Sequence, residues 1–137
     1  MSSKLHFRIV SPERLLFTDD VDMVIIPGIQ GDFGVLSSHS PMVSTLRPGL
    51  VTIYNNGDIK ERVYVADGFA HVTEVGCTVL AEESIFLAEM DTEMLEETIK
   101  KAKQELENAR TEEEIAALKR DLDYIYSKLE LLKRVKQ

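Results

Sequence analysis

Hydrophobic and polar residues change their spacing once along this chain, near Met90. Before that point, short alternating runs are broken by Gly, Pro and Asn. After it there is neither Gly nor Pro, and apolar residues recur at intervals of three and four to the C-terminus. Alternation with period 2 predicts half-buried strands, whereas intervals of three and four predict the apolar stripe of an amphipathic helix.

In the first part, Leu5, Phe7 and Ile9 alternate with His6 and Arg8. Further strands are predicted over 21–26, 50–54, 60–66, 69–74 and 77–82. Pro27-Gly28, Asn55-Asn56-Gly57-Asp58, Asp67-Gly68 and Val75-Gly76 are the expected reversals, because Gly and Asn accept positive φ. Short strands with turns every 8–12 residues predict an antiparallel sandwich or flattened barrel. No segment here has the length of a βαβ crossover helix. The run 27–41 is expected to be an ordered surface loop. Its Gly28, Gly31 and Gly34 lack the spacing, the following Lys and the helix N-terminus of a phosphate loop.

In the second part, Leu95, Ile99, Ala102, Leu106 and Ala109 form one stripe. Ile115, Leu118, Leu122, Ile125, Leu129 and Leu132 form another. Two helices of about 17 and 24 residues are expected to fold back antiparallel, with a break at 108–111. Asp91 or Thr92 caps the first helix. Thr111 to Glu114 fits the capping box of the second, and Lys133, Arg134 and Lys136 suit its C-terminus. The predicted division is therefore 1–89, a β-domain, and 90–137, a helical hairpin. The hairpin is either a fixed completion of a core or a marginal element able to open and re-pack.

Charge sharpens this picture. The net charge of −8 argues against a nucleic-acid partner, which wants a basic face. Residues 1–89 carry 12 acids and 6 bases, and residues 90–114 carry 9 acids and 4 bases. Residues 115–137 reverse the sign, with 3 acids and 6 bases. A basic last helix in an acidic chain suggests an acidic destination. No apolar run approaches the roughly 18 residues of a membrane span. The N-terminus passes directly into strand-like alternation, without a signal or transit pattern.

Candidate chemistry is sparse. Cys77 cannot form an internal disulfide and reads as a small buried thiol rather than a nucleophile. His6, His39 and His71 show no ligand spacing, so no metal is expected. A triad from Ser38, His39 and Asp67 lacks a nucleophile elbow. Asp19, Asp20 and Asp22 lack the Gly and distal Glu of a calcium loop and read as a solvated turn.

Pro27, Gly28, Gly31, Gly34, Leu36, His39 and Pro41, then Arg47-Pro48-Gly49, Asp67-Gly68-Phe69 and the charged hairpin, together resemble the epsilon-subunit family of F-type ATP synthases. The resemblance covers essentially the whole chain. It implies a sandwich of two antiparallel five-stranded sheets, followed by a regulatory two-helix hairpin. It implies a non-catalytic central-stalk subunit without cofactors. Its partners would be the gamma subunit, the c-ring and, with the hairpin extended, the alpha/beta head. It would couple proton flow to ATP synthesis, restrain ATP hydrolysis, and be a monomer in isolation. It would sit peripherally on the cytoplasmic face of a bacterial inner membrane, with no segment inserted in it. Asp32 and His39 match the family's c-ring contact loop, or else only brace that loop. Lys119, Arg120, Lys128, Lys133 and Arg134 are the expected inhibitory contacts of the last helix. The ATP motif of some members keeps its Asp as Asp91. Its Arg and Ala are replaced by Met94 and Leu95, so no nucleotide binding is expected. The alternative is a free-standing adaptor or coiled-coil interaction module.

Overall fold

The computed structural model describes residues 4–135. The chain divides into two compact units, with the boundary between Glu89 and Met90.

The first unit holds eight strands: β1 Leu5–Val10, β2 Leu15–Val21, β3 Met23–Gly28, β4 Gly31–Leu36, β5 Met42–Thr45, β6 Gly49–Asn55, β7 Asp58–Val72 and β8 Gly76–Phe86. A 3-10 turn, Leu87–Glu89, follows. The hydrogen-bonded order is β2-β1-β8-β7-β6-β3-β4, with β5 also on β7. Two long strands make this one path into a sandwich. The first half of β7 pairs with β6, and its second half pairs with β5. β8 pairs with β7 along both halves, and its early residues also pair with β1. One layer is therefore β2-β1-β8-β7-β5, and the other is β4-β3-β6-β7-β8. Each has five strands, because β7 and β8 serve both. One pair departs from an all-antiparallel plan: β1 and β8 run parallel. Parallel neighbours need a long connection, and nearly the whole domain lies between these two.

Several details differ from the sequence reading. β2 is a strand that the pattern missed, and Asp19 and Asp20 lie on it rather than in a turn. The run 21–26 is split at Asp22 between β2 and β3. The glycine-rich run is a β-hairpin rather than a loop, with β3 and β4 paired from Met23–Leu36 to Gly28–Gly31. Asp67-Gly68 does not reverse the chain, because β7 continues through it. Asn56-Gly57 does turn, with φ of 54° and 84°, as a two-residue hairpin turn requires.

The core lies between the layers. Leu5, Phe7 and Ile9 of β1, Val79 and Ala81 of β8, Val51 and Ile53 of β6 and Val24 and Ile26 of β3 are buried together. Cys77 is in the same cluster, and burial pushes its thiol up to about 12. That suits an inert core thiol.

The second unit holds α1 Thr92–Asn108 and α2 Glu112–Val135. Ile99, Leu122 and Leu129 form its buried centre, with Leu95, Ala102, Leu106 and Ile125 against it. Asp91 is the N-cap of α1, and its carboxylate accepts from the Glu93 N–H at 2.9 Å. Thr111 Oγ1 accepts from Glu114 N–H at 3.1 Å, while the Glu114 carboxylate reaches back to Arg110 N–H at 3.4 Å. Both start signals read in the sequence therefore operate. Lys133 and Arg134 lie in the last turn of α2. Lys136 lies outside the described residues.

Candidate functional site

The β3–β4 hairpin ends in a tight turn at Ile29-Gln30. Asp32 sits one step past the turn, opposite Pro27. Its carboxylate is held by the Arg47 guanidinium, which also donates to the Gly28 carbonyl. The backbone adds two ties between the turn and the β5–β6 connection. Ile29 N–H donates to Thr45 O at 2.9 Å and Arg47 N–H donates to Pro27 O at 3.0 Å, which together make Gly28 and Leu46 a bridge pair. Sequence reasoning noted Arg47 within a motif but gave it no role. Its partners lie 15 and 19 residues away.

His39 stands elsewhere. Six residues of β4 separate the hairpin turn from the connection that carries it. At about 3.3 Å per residue, Asp32 and the end of β4 at Leu36 stand roughly 13 Å apart, and His39 lies beyond a further turn at Ser37-Ser38. Asp32 and His39 lie at opposite ends of β4, because the intervening glycine-rich segment is extended and paired. His39 Nδ1 donates to Ser40 O at 2.7 Å, and neighbouring Ser38 N–H donates to Glu74 O at 3.1 Å.

A second feature required the strand register to find. Leu15 pairs with Val10, Val10 with Leu80, and Leu80 with Phe69. Their neighbours Ile9, Val79 and Ala70 point into the core, so these four point outward. Leu15, Leu80 and Phe69 are 52%, 36% and 44% exposed, which makes an apolar row across one outer face. Beside it, Val43 (67% exposed), His71, Thr78 and Arg8 form a parallel, more polar row. Arg8 donates to Thr78 Oγ1 at 3.2 Å.

On α2, Lys119, Arg120, Lys133 and Arg134 are exposed, whereas Lys128 is half-buried. At 100° per residue, the first four fall within about 140° of one another, and Lys128 falls outside that arc. The Lys128 ammonium lies 5.2 Å from the Tyr124 ring centroid, and burial lowers its pKa. Lys133 reaches Glu96 of α1 at 3.6 Å. The five expected contacts are therefore four on one face and one on another.

At the start of α1, Asp91 is engaged as a cap. Met94 is 65% exposed and uncharged, and Leu95 packs on the helical core.

Residues 4–86 match the family model described as "ATP synthase, Delta/Epsilon chain, beta-sandwich domain". The ATP synthase epsilon chain of Parvibaculum lavamentivorans is 43% identical over 125 residues, covering 91% of this chain and 95% of that one. The chain belongs to the ATP synthase epsilon chain family. The epsilon chain of Rhodospirillum rubrum is 46% identical over 85% of this chain and 87% of its own. Epsilon chains are non-catalytic subunits of the synthase. The fold is shared with a chain in the Euglena gracilis mitochondrial ATP synthase assembly of OSCP, F1 and c-ring, at a TM-score of 0.76 and 19% identity. That match covers 100% of this chain and 84% of the other. It is shared too with a chain in the Tetrahymena thermophila central stalk and c-ring, at a TM-score of 0.60 and 12% identity.

Proposed function

We propose that this chain is a rotor subunit of the central stalk of a bacterial F-type ATP synthase. Its sandwich docks on gamma and the c-ring and couples proton flow to ATP synthesis, and its hairpin restrains hydrolysis. The observation that carries this reading is the ordered apolar row Leu15, Val10, Leu80 and Phe69 on one face of the sandwich. A contiguous exposed apolar patch on a small domain marks a protein interface. Gamma is its occupant in this reading. Asp32 with the hairpin tip faces the c-ring, and His39, at the far end of β4, serves the neighbouring connection. Among the described residues no helix is long and apolar enough to cross a membrane. That fits a peripheral attachment at the cytoplasmic face.

The hairpin's inhibitory contact is assigned to Lys119, Arg120, Lys133 and Arg134, which share one exposed face of α2. An acidic surface of the catalytic head is the complementary partner. Adding the chain to an epsilon-free enzyme in inverted vesicles tests both halves of the proposal. The native chain should restore ATP-driven proton pumping. The double substitution Phe69→Ser with Leu80→Ser should abolish its retention on gamma without unfolding it. Replacing the four cations with Gln should raise hydrolysis at low salt. Restored pumping with the apolar row removed would sink the gamma assignment.

A further inference from the structure

Resting on the reading that the β3–β4 tip meets the c-ring, we propose that Ile29 and Gln30 make the contact, while Arg47 and Asp32 are positioning residues that hold the turn. The Asp32 carboxylate is already engaged within the turn, because Arg47 holds one of its two oxygens. The same guanidinium donates to the Gly28 carbonyl, so one planar fork ties the last residue of β3 to the second residue of β4. Paired in this way, the two side chains also cancel each other's charge, and the tip presents no net charge to its partner. What it presents is Ile29, 62% exposed at the apex of the turn, and the exposed Gln30 amide.

An apolar side chain on a turn already fixed by two backbone hydrogen bonds and one Arg loses little freedom on binding. A groove of about 470 Å3 lies beside it, lined by Ile29, Phe33, Met42, Val43 and Thr45. The surface fits a polar loop of the ring that places one apolar side chain against Ile29 and a peptide group against Gln30. Lysine at position 47 reaches one acceptor where arginine reaches two, so it is a poorer holder.

The test uses the holoenzyme rebuilt with variant chains, reading the ratio of proton pumping to hydrolysis. Amide exchange at the tip is read on the same chains. Arg47→Ala and Asp32→Asn should each speed exchange at Ile29 about tenfold and lower the pumping ratio, because the turn is no longer held. The charge swap Asp32→Arg with Arg47→Asp should recover both in part, because the ion pair returns while Asp at position 47 cannot donate to the Gly28 carbonyl. Ile29→Ser should leave exchange unchanged and still lower the pumping ratio. A swap no better than Asp32→Arg alone, with Ile29→Ser behaving as native, would overturn the proposal in favour of a direct carboxylate contact. A photo-crosslinking residue at position 30 separates the underlying reading. Adducts with the c subunit uphold it, and adducts only with other subunits in a coupled enzyme remove the ring contact itself.

Discussion

A Cβ atom built on Gly68 would lie 1.8 Å from the Leu80 carbonyl oxygen, so β7 and β8 approach each other there more closely than any side chain permits. Asp67, just before it, has a φ of 58°. This is the point at which β7 passes from one layer of the sandwich to the other. Gly68→Ala must push backbone from backbone. It is expected to cost roughly 3 kcal/mol or more, the upper end of overpacking penalties. Asp67→Gly relieves a left-handed non-glycine residue and is expected to be near neutral. Urea unfolding of both variants checks the contrast, and equal losses would place the constraint elsewhere.

Cys77 is expected to resist thiol reagents in the native protein and to react fully once unfolded. Burial raises its folded-state pKa from 9.0 to about 12, so the neutral thiol is favoured in the fold. The sign follows from linkage. This contribution to stability is complete below 9.0 and declines as pH rises toward 12, because the unfolded chain releases its proton first. Cys77→Ala should flatten that alkaline decline. Rapid labelling of folded protein at neutral pH would contradict the burial.

Two carboxylates act on the acid side. Lys60 holds Asp19, helped by the Asp20 N–H, and Lys4 holds Asp22, helped by the Asn56 N–H. Both acids titrate below their usual value of 3.8. Their stabilisation is present above 3.8 and fades as pH falls through the lowered values. Lys60→Ala should therefore lower the urea midpoint at neutral pH and leave it unchanged in strong acid. The Lys60–Asp19 pair joins β2, in one layer, to the half of β7 that pairs with β6 in the other.

The helical hairpin rests on few contacts. Removing the α2 cap with Thr111→Ala is expected to cost about 1 kcal/mol. Leu122→Ala, at a buried position facing Ile99, is expected to cost about 2–4 kcal/mol. Amide exchange should show both losses in residues 92–135 while the sandwich keeps its protection. Loss of protection in β1 and β8 as well would mean that the two units unfold together.

ATP should bind the chain weakly or not at all. Asp91 is engaged as a helix cap, and Met94 offers no charge to a phosphate. Titration calorimetry decides this, and a dissociation constant of about 10 μM or tighter would contradict it. Met94→Arg asks whether the missing charge alone accounts for the loss.

Much of this architecture was legible in the residues. The seam near Met90, the two helices with their Asp91 and Thr111 starts, and the Asn56-Gly57 turn are local events. Spacing and capping chemistry specify them within one or two turns of chain. The strand alternation of β1 and β6 is equally local. Tertiary structure decided the rest, because it depends on which distant strand lies alongside. Asp67-Gly68 has the composition of a reversal, yet it became a bend inside one long strand because Leu80 packs against it. The glycine-rich run became a hairpin because β3 was already held by β6. The partners of Asp32 and the outward row of Leu15, Leu80 and Phe69 exist only once register is set. A period of two tells that a residue faces one side of a sheet, but the neighbours that share that side come from pairing across dozens of residues.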